Sequence, residues 1–243
     1  MEEALKVKEK ILNLEIKAQP NDVTCGPTCL HGVYNFFGEE IHLDEVIKEV
    51  GQLSSGGTLA VLLGIHALQR GYEGTIYTYN LHIFDPSWFR KGIDISQKLR
   101  EQMKAKAENE KLIMASEAYL KFLSLGGKIK YQDLTPSLVK SYLQKGIPVL
   151  TGLSATYLYD SPREIGDDDV LYDDINGEPT GHFVMVIGYN SATRHVFIAD
   201  PLKSNPFGEN QYYEVSFKKL IAAIMLGVVT YDANLLMLNP KNK

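Results

Sequence analysis

The N-terminal half of the chain alternates apolar positions with a helical period, whereas the C-terminal half carries continuous apolar runs. Residues 1–12 read as a short charged helix, and LNLEI (12–16) as a strand leading to Gln19. PNDVTCGPTCLHGVYNFFG (20–38) is a loop that becomes a helix. Pro27 suits a first helical turn, where its missing N–H costs nothing. Cys29, Val33, Phe36 and Phe37 recur at helical spacing and face the core, and Gly38 stops the helix. A second helix is predicted from Asp44 to Val50. Thr58 is placed to cap a third, LAVLLGIHALQR, ended by Gly71. TIYTYNL (75–81) reads as a strand. Residues 96–124 are helical and heavily charged, Thr135 and Pro136 open a further helix that ends near Gly146, and IPVLTGL (147–153) is a buried strand.

A long acidic loop, SPREIGDDDVLYDDINGEP, precedes HFVMVIGY (182–189) and HVFIADP (195–201). These two runs flank NSATR and form a β-hairpin. YYEVSF (212–217) is a further strand, followed by a short helix. Helices mostly precede an antiparallel sheet, which indicates an α+β fold. The 243 residues suffice for one well-cored domain with insertions or for two small ones, and 44% hydrophobic with 23% charged residues is ordinary for a globular chain.

Net charge −5 and a pI near 5.7 give no field for phosphate backbones or anionic membranes, so nucleic acid and membrane are not expected partners. MEEALKVKEK lacks a signal-peptide core, and LIAAIMLGVV (220–229) is too short to span a bilayer. The expectation is a soluble, cytoplasmic protein. Its two cysteines lie four residues apart, which builds no disulfide framework.

Cys25 stands where the loop becomes a helix. A thiolate there meets unpaired backbone N–H groups and the positive end of the helix dipole. Gly26 leaves room for a substrate to approach the sulfur. Cys29 lies one turn deeper among apolar residues and reads as core. No second ligand pair at metal spacing accompanies the cysteines, and His31, His42, His66 and His82 form no HxxxH or HExxH pattern. Gln19, six residues before Cys25, can donate its amide to a developing oxyanion beside the Cys25 N–H.

His182 opens one hairpin strand and Asp200 closes the next. If the turn centres on residue 191 or 192, His182 lies opposite residue 200 or 202, and its side chain shares a face with that of Asp200. A one-residue slip would separate them. His195, at an odd position, falls on the other face. A histidine and a carboxylate so held suit the base and orienting group of a triad. Taken singly, each of these residues reads equally as structural; the set and its order carry the inference.

Three blocks carry a resemblance: Gln19 through PNDVT to Cys25, Gly26, Pro27, Thr28 and Cys29; Gly181 and His182 before FVMVIGY; and Ala199, Asp200 and Pro201. Together they resemble the C39-like branch of the papain-like cysteine peptidases, the bacteriocin-processing type, over residues 14–217. The resemblance implies Cys25 as nucleophile, His182 as base, Asp200 as its orienting residue and Gln19 as oxyanion donor. It implies a papain-like fold, a helical half with the cysteine packed on a sheet half with the histidine, and no cofactor. The double-glycine-cutting members are domains on transporter chains, and nothing here looks like a transporter. A single domain over 1–243 is expected, with a helical insertion at about 84–130.

The expected activity is a cysteine peptidase or amidase acting on a peptide or other amide. An acyltransferase on the same site, a non-catalytic binding module of the same fold, and a thiol redox or metal protein using both cysteines are the alternatives. The acidic segment 167–178 is either a solvated loop or an edge of the cleft that favours a cationic group; it lacks EF-hand spacing. Phe84, Trp88 and Phe89 read as packing residues.

Overall fold

The computed structural model of the protein describes residues 8–51, 57–166 and 171–241. The chain runs β1 (Glu9–Ile11), α1 (Cys25–Phe36), α2 (Leu43–Glu49), α3 (Ala60–Gln69) and β2 (Tyr72–Thr78). A 3-10 turn (Pro86–Phe89) leads to α4 (Ile95–Ala105), α5 (Glu110–Ser124), β3 (Lys128–Lys130), α6 (Pro136–Leu143), β4 (Val149–Ser154) and α7 (Ala155–Tyr159). Then come β5 (Glu164–Ile165), β6 (Leu171–Tyr172), β7 (Gly181–Asn190), β8 (His195–Ala199), β9 (Tyr212–Ser216), α8 (Phe217–Leu226), a second 3-10 turn (Gly227–Thr230) and β10 (Asn234–Pro240).

Seven strands form a sheet in the order β3-β2-β10-β4-β7-β8-β9, and β1 pairs with the far end of β7. All pairs in this sheet are antiparallel except β2 with β3. Alternate side chains feed two cores. Leu236 and Leu238 of β10, with Phe183 and Met185 of β7, join Leu30, Val33, Leu63 and Phe122 from α1, α3 and α5. Leu235 and Met237, with Val184 and Val186, join Val139, Leu220 and Ile224 from α6 and α8. The α+β organisation predicted from the chain holds, with helices on both faces of the sheet.

Several local expectations change. Residues 9–11 form strand β1 rather than a charged helix; residues 1–7 lie outside the described part. LNLEI is extended but not a strand. Leu12, Leu14 and Ile16 are buried and the residues between them exposed. In place of a strand neighbour, the Tyr212 hydroxyl accepts from Ile16 N (3.0 Å) and donates to the Leu14 carbonyl (3.3 Å). Thr58 does not cap α3; its hydroxyl donates to the Gly51 carbonyl. The charged stretch 96–124 is two helices, because the Asn109 side chain accepts from Leu112 N and starts a new one. Phe84 is buried, and Trp88 and Phe89 pack against the same core.

The β7–β8 hairpin decides the site. Its turn pairs Asn190 with His195, so even positions face odd ones. That register would put His182 and Asp200 on opposite faces. A bulge between Val186 and Gly188 corrects it: beyond the bulge Val186 pairs with Ile198 and Met185 with Ala199. Continued outward, this register sets His182 and Asp200 on one face, one diagonal apart. The Ile187 carbonyl accepts from Leu12 N (2.8 Å). Gly188 lets β1 approach, since a Cβ there would come 2.5 Å from the Lys10 carbonyl oxygen.

Gly188→Ala must therefore displace β1 from the bulge. We expect it to lower the unfolding free energy by about 1–3 kcal/mol, read as a shifted urea midpoint; an unchanged midpoint would show that β1 does not brace this register.

Candidate active site

Cys25 is the first residue of α1. No side chain caps the helix, because the Thr24 hydroxyl turns back to donate to the Asn21 carbonyl (3.0 Å). The N-terminal pole, with its unpaired amides, is left for an anion. Cys25 is buried yet lines a cavity of about 520 Å³. Gly26 does not open a path to the sulfur: a Cβ there would lie 2.5 Å from the Thr58 methyl carbon and 3.3 Å from Leu63 and Phe183. Its smallness serves packing. Cys29 is fully buried, its sulfur 3.3 Å from the Phe183 carbonyl oxygen, and burial pushes its thiol well up. Both cysteines are free thiols.

His182 is buried on β7, and its Nε2 lies 2.9 Å from Asp200 Oδ1. Burial alone would drive the imidazolium to lose its proton. The Asp200 charge and hydrogen bond outweigh that, the Cys25 sulfur adds a further hydrogen bond, and His182 is raised to about 10. Asp200 has no exposed surface. Burial pushes its carboxyl up, but His182 and two tyrosines hold it below the usual carboxylate range. Oδ1 also accepts from Leu202 N (2.9 Å), while Oδ2 accepts from the hydroxyls of Tyr159 and Tyr213, each at 2.6 Å. Four donors thus meet one buried carboxylate, as such a charge requires.

The structure places Gln19 beside this pair through the backbone: Gln19 N donates to the Pro201 carbonyl (2.9 Å). Gln211 Nε2 ties the same strands, donating to the carbonyls of Lys17 and Asp200. The Gln19 amide donates to the Asn21 carbonyl (2.9 Å), and its Oε1 is buried without a partner among the described residues. Gln19 does not line the Cys25 cavity. His195 lies at the turn end of β8, its Nδ1 2.9 Å from the Thr193 carbonyl oxygen.

Buried Cys25, Thr58, Phe183 and Asp232 form the inner part of the cavity, and exposed Asp22, Asn176 and Glu178 its outer part. Glu164 and Glu178 bridge each other through their backbones, so part of the acidic segment edges this cavity. Its residues 167–170 lie outside the described part. Among the described residues no group of three His, Cys, Asp or Glu could hold a metal ion, and no helix is long and apolar enough to cross a membrane.

Tyr159, Tyr213 and Asp232 escape a sequence reading. Tyr213 sits in a predicted strand, but only the β8–β9 register, Ile198 opposite Tyr213, brings it to Asp200. Tyr159 ends a five-residue helix with no distinguishing pattern. Asp232 lies in a short turn before β10, a strand whose apolar run on both faces gives no alternation to read.

Among solved structures, the chain is similar to a putative C39-like peptidase from Bacillus anthracis, at 16% identity over 97% of this chain and 99% of that one (TM-score 0.45). It is similar to the peptidase domain of Streptococcus ComA, at 14% identity over 94% and 100% (TM-score 0.44). Xylellain, a cysteine protease from Xylella fastidiosa, is 15% identical over 96% and 85% (TM-score 0.42). No curated protein sequence matches. The model of the Peptidase_C39 like family matches residues 11–223, nearly the whole chain, and the protein therefore belongs to that family as a papain-like cysteine peptidase.

Proposed function

We propose that this peptidase cleaves peptide amides with Cys25 as nucleophile, His182 as base and acid, and Asp200 as the residue that orients His182. The observation that carries the reading is the buried His182–Asp200 pair at 2.9 Å, with the Cys25 side chain hydrogen-bonded to the same imidazole. His182 retains its proton when Cys25 is a thiolate, and the ion pair attacks the substrate carbonyl. Electrons of the C=O bond move to oxygen, where the Cys25 N–H at the helix start stabilises them. Gln19 serves as the second donor once its amide turns from Asn21 toward the substrate. His182 then gives its proton to the leaving amine. Water attacks the thioester, His182 takes its proton, and the acid product and thiolate are released. Tyr159 and Tyr213 are positioning residues, since they hold the carboxylate that holds the imidazole.

Iodoacetamide labelling followed by mass spectrometry tests the thiol chemistry. Cys25 should label fast, because the cationic His182 stands beside it, while buried Cys29 stays unlabelled. His182→Ala should slow the labelling of Cys25. Equal, slow labelling of both cysteines would remove the nucleophile. In a peptide-library screen, Cys25→Ala should abolish turnover.

The same pair sets a stability signature. His182 has a folded-state value raised above its ordinary 6.5, so its contribution is complete below about 6.5 and is lost as pH rises through about 10. The stability gap between the wild type and His182→Gln in urea should narrow over that window. Tyr159→Phe and Tyr213→Phe each remove a hydrogen bond to a charged group, and each should cost about 1.5–3 kcal/mol. They should also slow the labelling of Cys25 in the folded protein, which a purely structural role would leave unchanged.

A further inference from the structure

Asp232 has no part in the steps above, yet it lies within the same cavity as Cys25. Only 6% of its surface is exposed. Its Oδ2 accepts from the Thr230 hydroxyl (2.8 Å), and among the described residues it forms no ion pair. Lys111, which also lines the cavity, has its Nζ over the Tyr231 ring, 4.1 Å from the centroid. A buried carboxylate without a cation in contact is a costly arrangement, and burial, offset only in part by the Thr230 hydrogen bond and the charges of Lys111 and His182, raises Asp232 to about 7.

The fold is shaped around this carboxylate. A Cβ at Gly181 would lie 2.1 Å from Oδ2, and a Cβ at Gly152 would lie 2.8 Å from Oδ1. Gly181 immediately precedes His182, and Gly152 pairs with Phe183 across β4 and β7. Tyr231 and Ala233 on either side of Asp232 both adopt left-handed backbone, with φ of 67° and 47°. Each such residue costs on the order of 1 kcal/mol. The turn is pinned by Asn80 Nδ2, which donates to the Tyr231 carbonyl (2.9 Å), and by His82 stacked on the Tyr231 ring. Toward the mouth, Asp22, Glu164 and Glu178 add three carboxylates, against one lysine.

We infer that Asp232 is a specificity residue, and that the cavity beside Cys25 receives a lysine or arginine side chain of the substrate near the scissile bond. The inference rests on the peptidase reading above and deepens it. An incoming ammonium or guanidinium would supply the ion pair that Asp232 lacks, and the outer carboxylates would draw it in. A neutral isostere would leave Asp232 either an unpaired anion or obliged to take up a proton, and so would gain nothing from the carboxylate.

The test uses the full chain and internally quenched peptides in which each position flanking the cleaved bond carries, in turn, Arg, citrulline, Lys, norleucine or Glu. At one position, kcat/KM for Arg over citrulline and Lys over norleucine should reach at least about tenfold. Asp232→Asn keeps an oxygen for Thr230 and should bring both ratios to within about threefold; Asp232→Lys should favour Glu at that position. If the variants fail to fold, competition by matched arginine and citrulline peptides on the wild type reads the same preference. A wild type indifferent to charge, or ratios unmoved by Asp232→Asn, overturns the inference while leaving the peptidase intact. Absence of cleavage of every peptide overturns both.

Discussion

The buried pair of His182 and Asp200 is the constraint on which the site depends. Two groups that would each prefer water are held dry at 2.9 Å. Such a pair persists only if every remaining lone pair finds a donor. Two tyrosine hydroxyls and the Leu202 amide supply them. The tyrosines come from α7 and β9, so elements on both sides of the hairpin converge on one carboxylate. Remove one donor and the cost appears first as misplacement of the imidazole, before the fold itself fails.

The geometry behind that pair is a matter of parity. A turn that pairs Asn190 with His195 is the wrong one for the site, and a single inserted residue at Ile187 makes it right. The bulge is in turn braced by β1 and by Leu12, which enter from the other end of the chain. The extended segment beyond Leu12, anchored by Tyr212, then carries Gln19 to Pro201 and delivers the helix start with Cys25. One strip of backbone thus connects the register of His182 to the placement of Cys25.

The placement of Cys25 at a helix start and of His182 beside Asp200 could be read from the sequence because order and spacing are local properties: a thiol at a loop-to-helix transition, and two groups on adjoining strands. The loop-to-helix transition at Cys25 and the 182–201 hairpin were equally readable, since turn residues and apolar runs mark them. What could not be read depends on distant pairings. The bulge leaves no mark in HFVMVIGY, where every residue after His182 is apolar, aromatic or small and both faces are buried. Tyr159 and Tyr213 become donors only through tertiary placement. β1 has three residues with no alternation of burial that outweighs its charge, and the Thr58 hydroxyl found Gly51 before it found α3. Asp232 looks like an ordinary turn aspartate until the sheet folds two glycines beneath it.

The position of β10 has a consequence for how the protein comes into being. It is the last strand in the chain, yet it stands between β2 and β4 near the middle of the sheet. Until residues 234–240 are available, β2 with β3 and the ladder from β4 to β9 have no strand to join them. Asp232 immediately precedes that strand, so the inner wall of the cavity is completed by the same event. Cys25 and His182 both precede this strand in the chain, so the sheet around them closes only when β10 takes its place between β2 and β4.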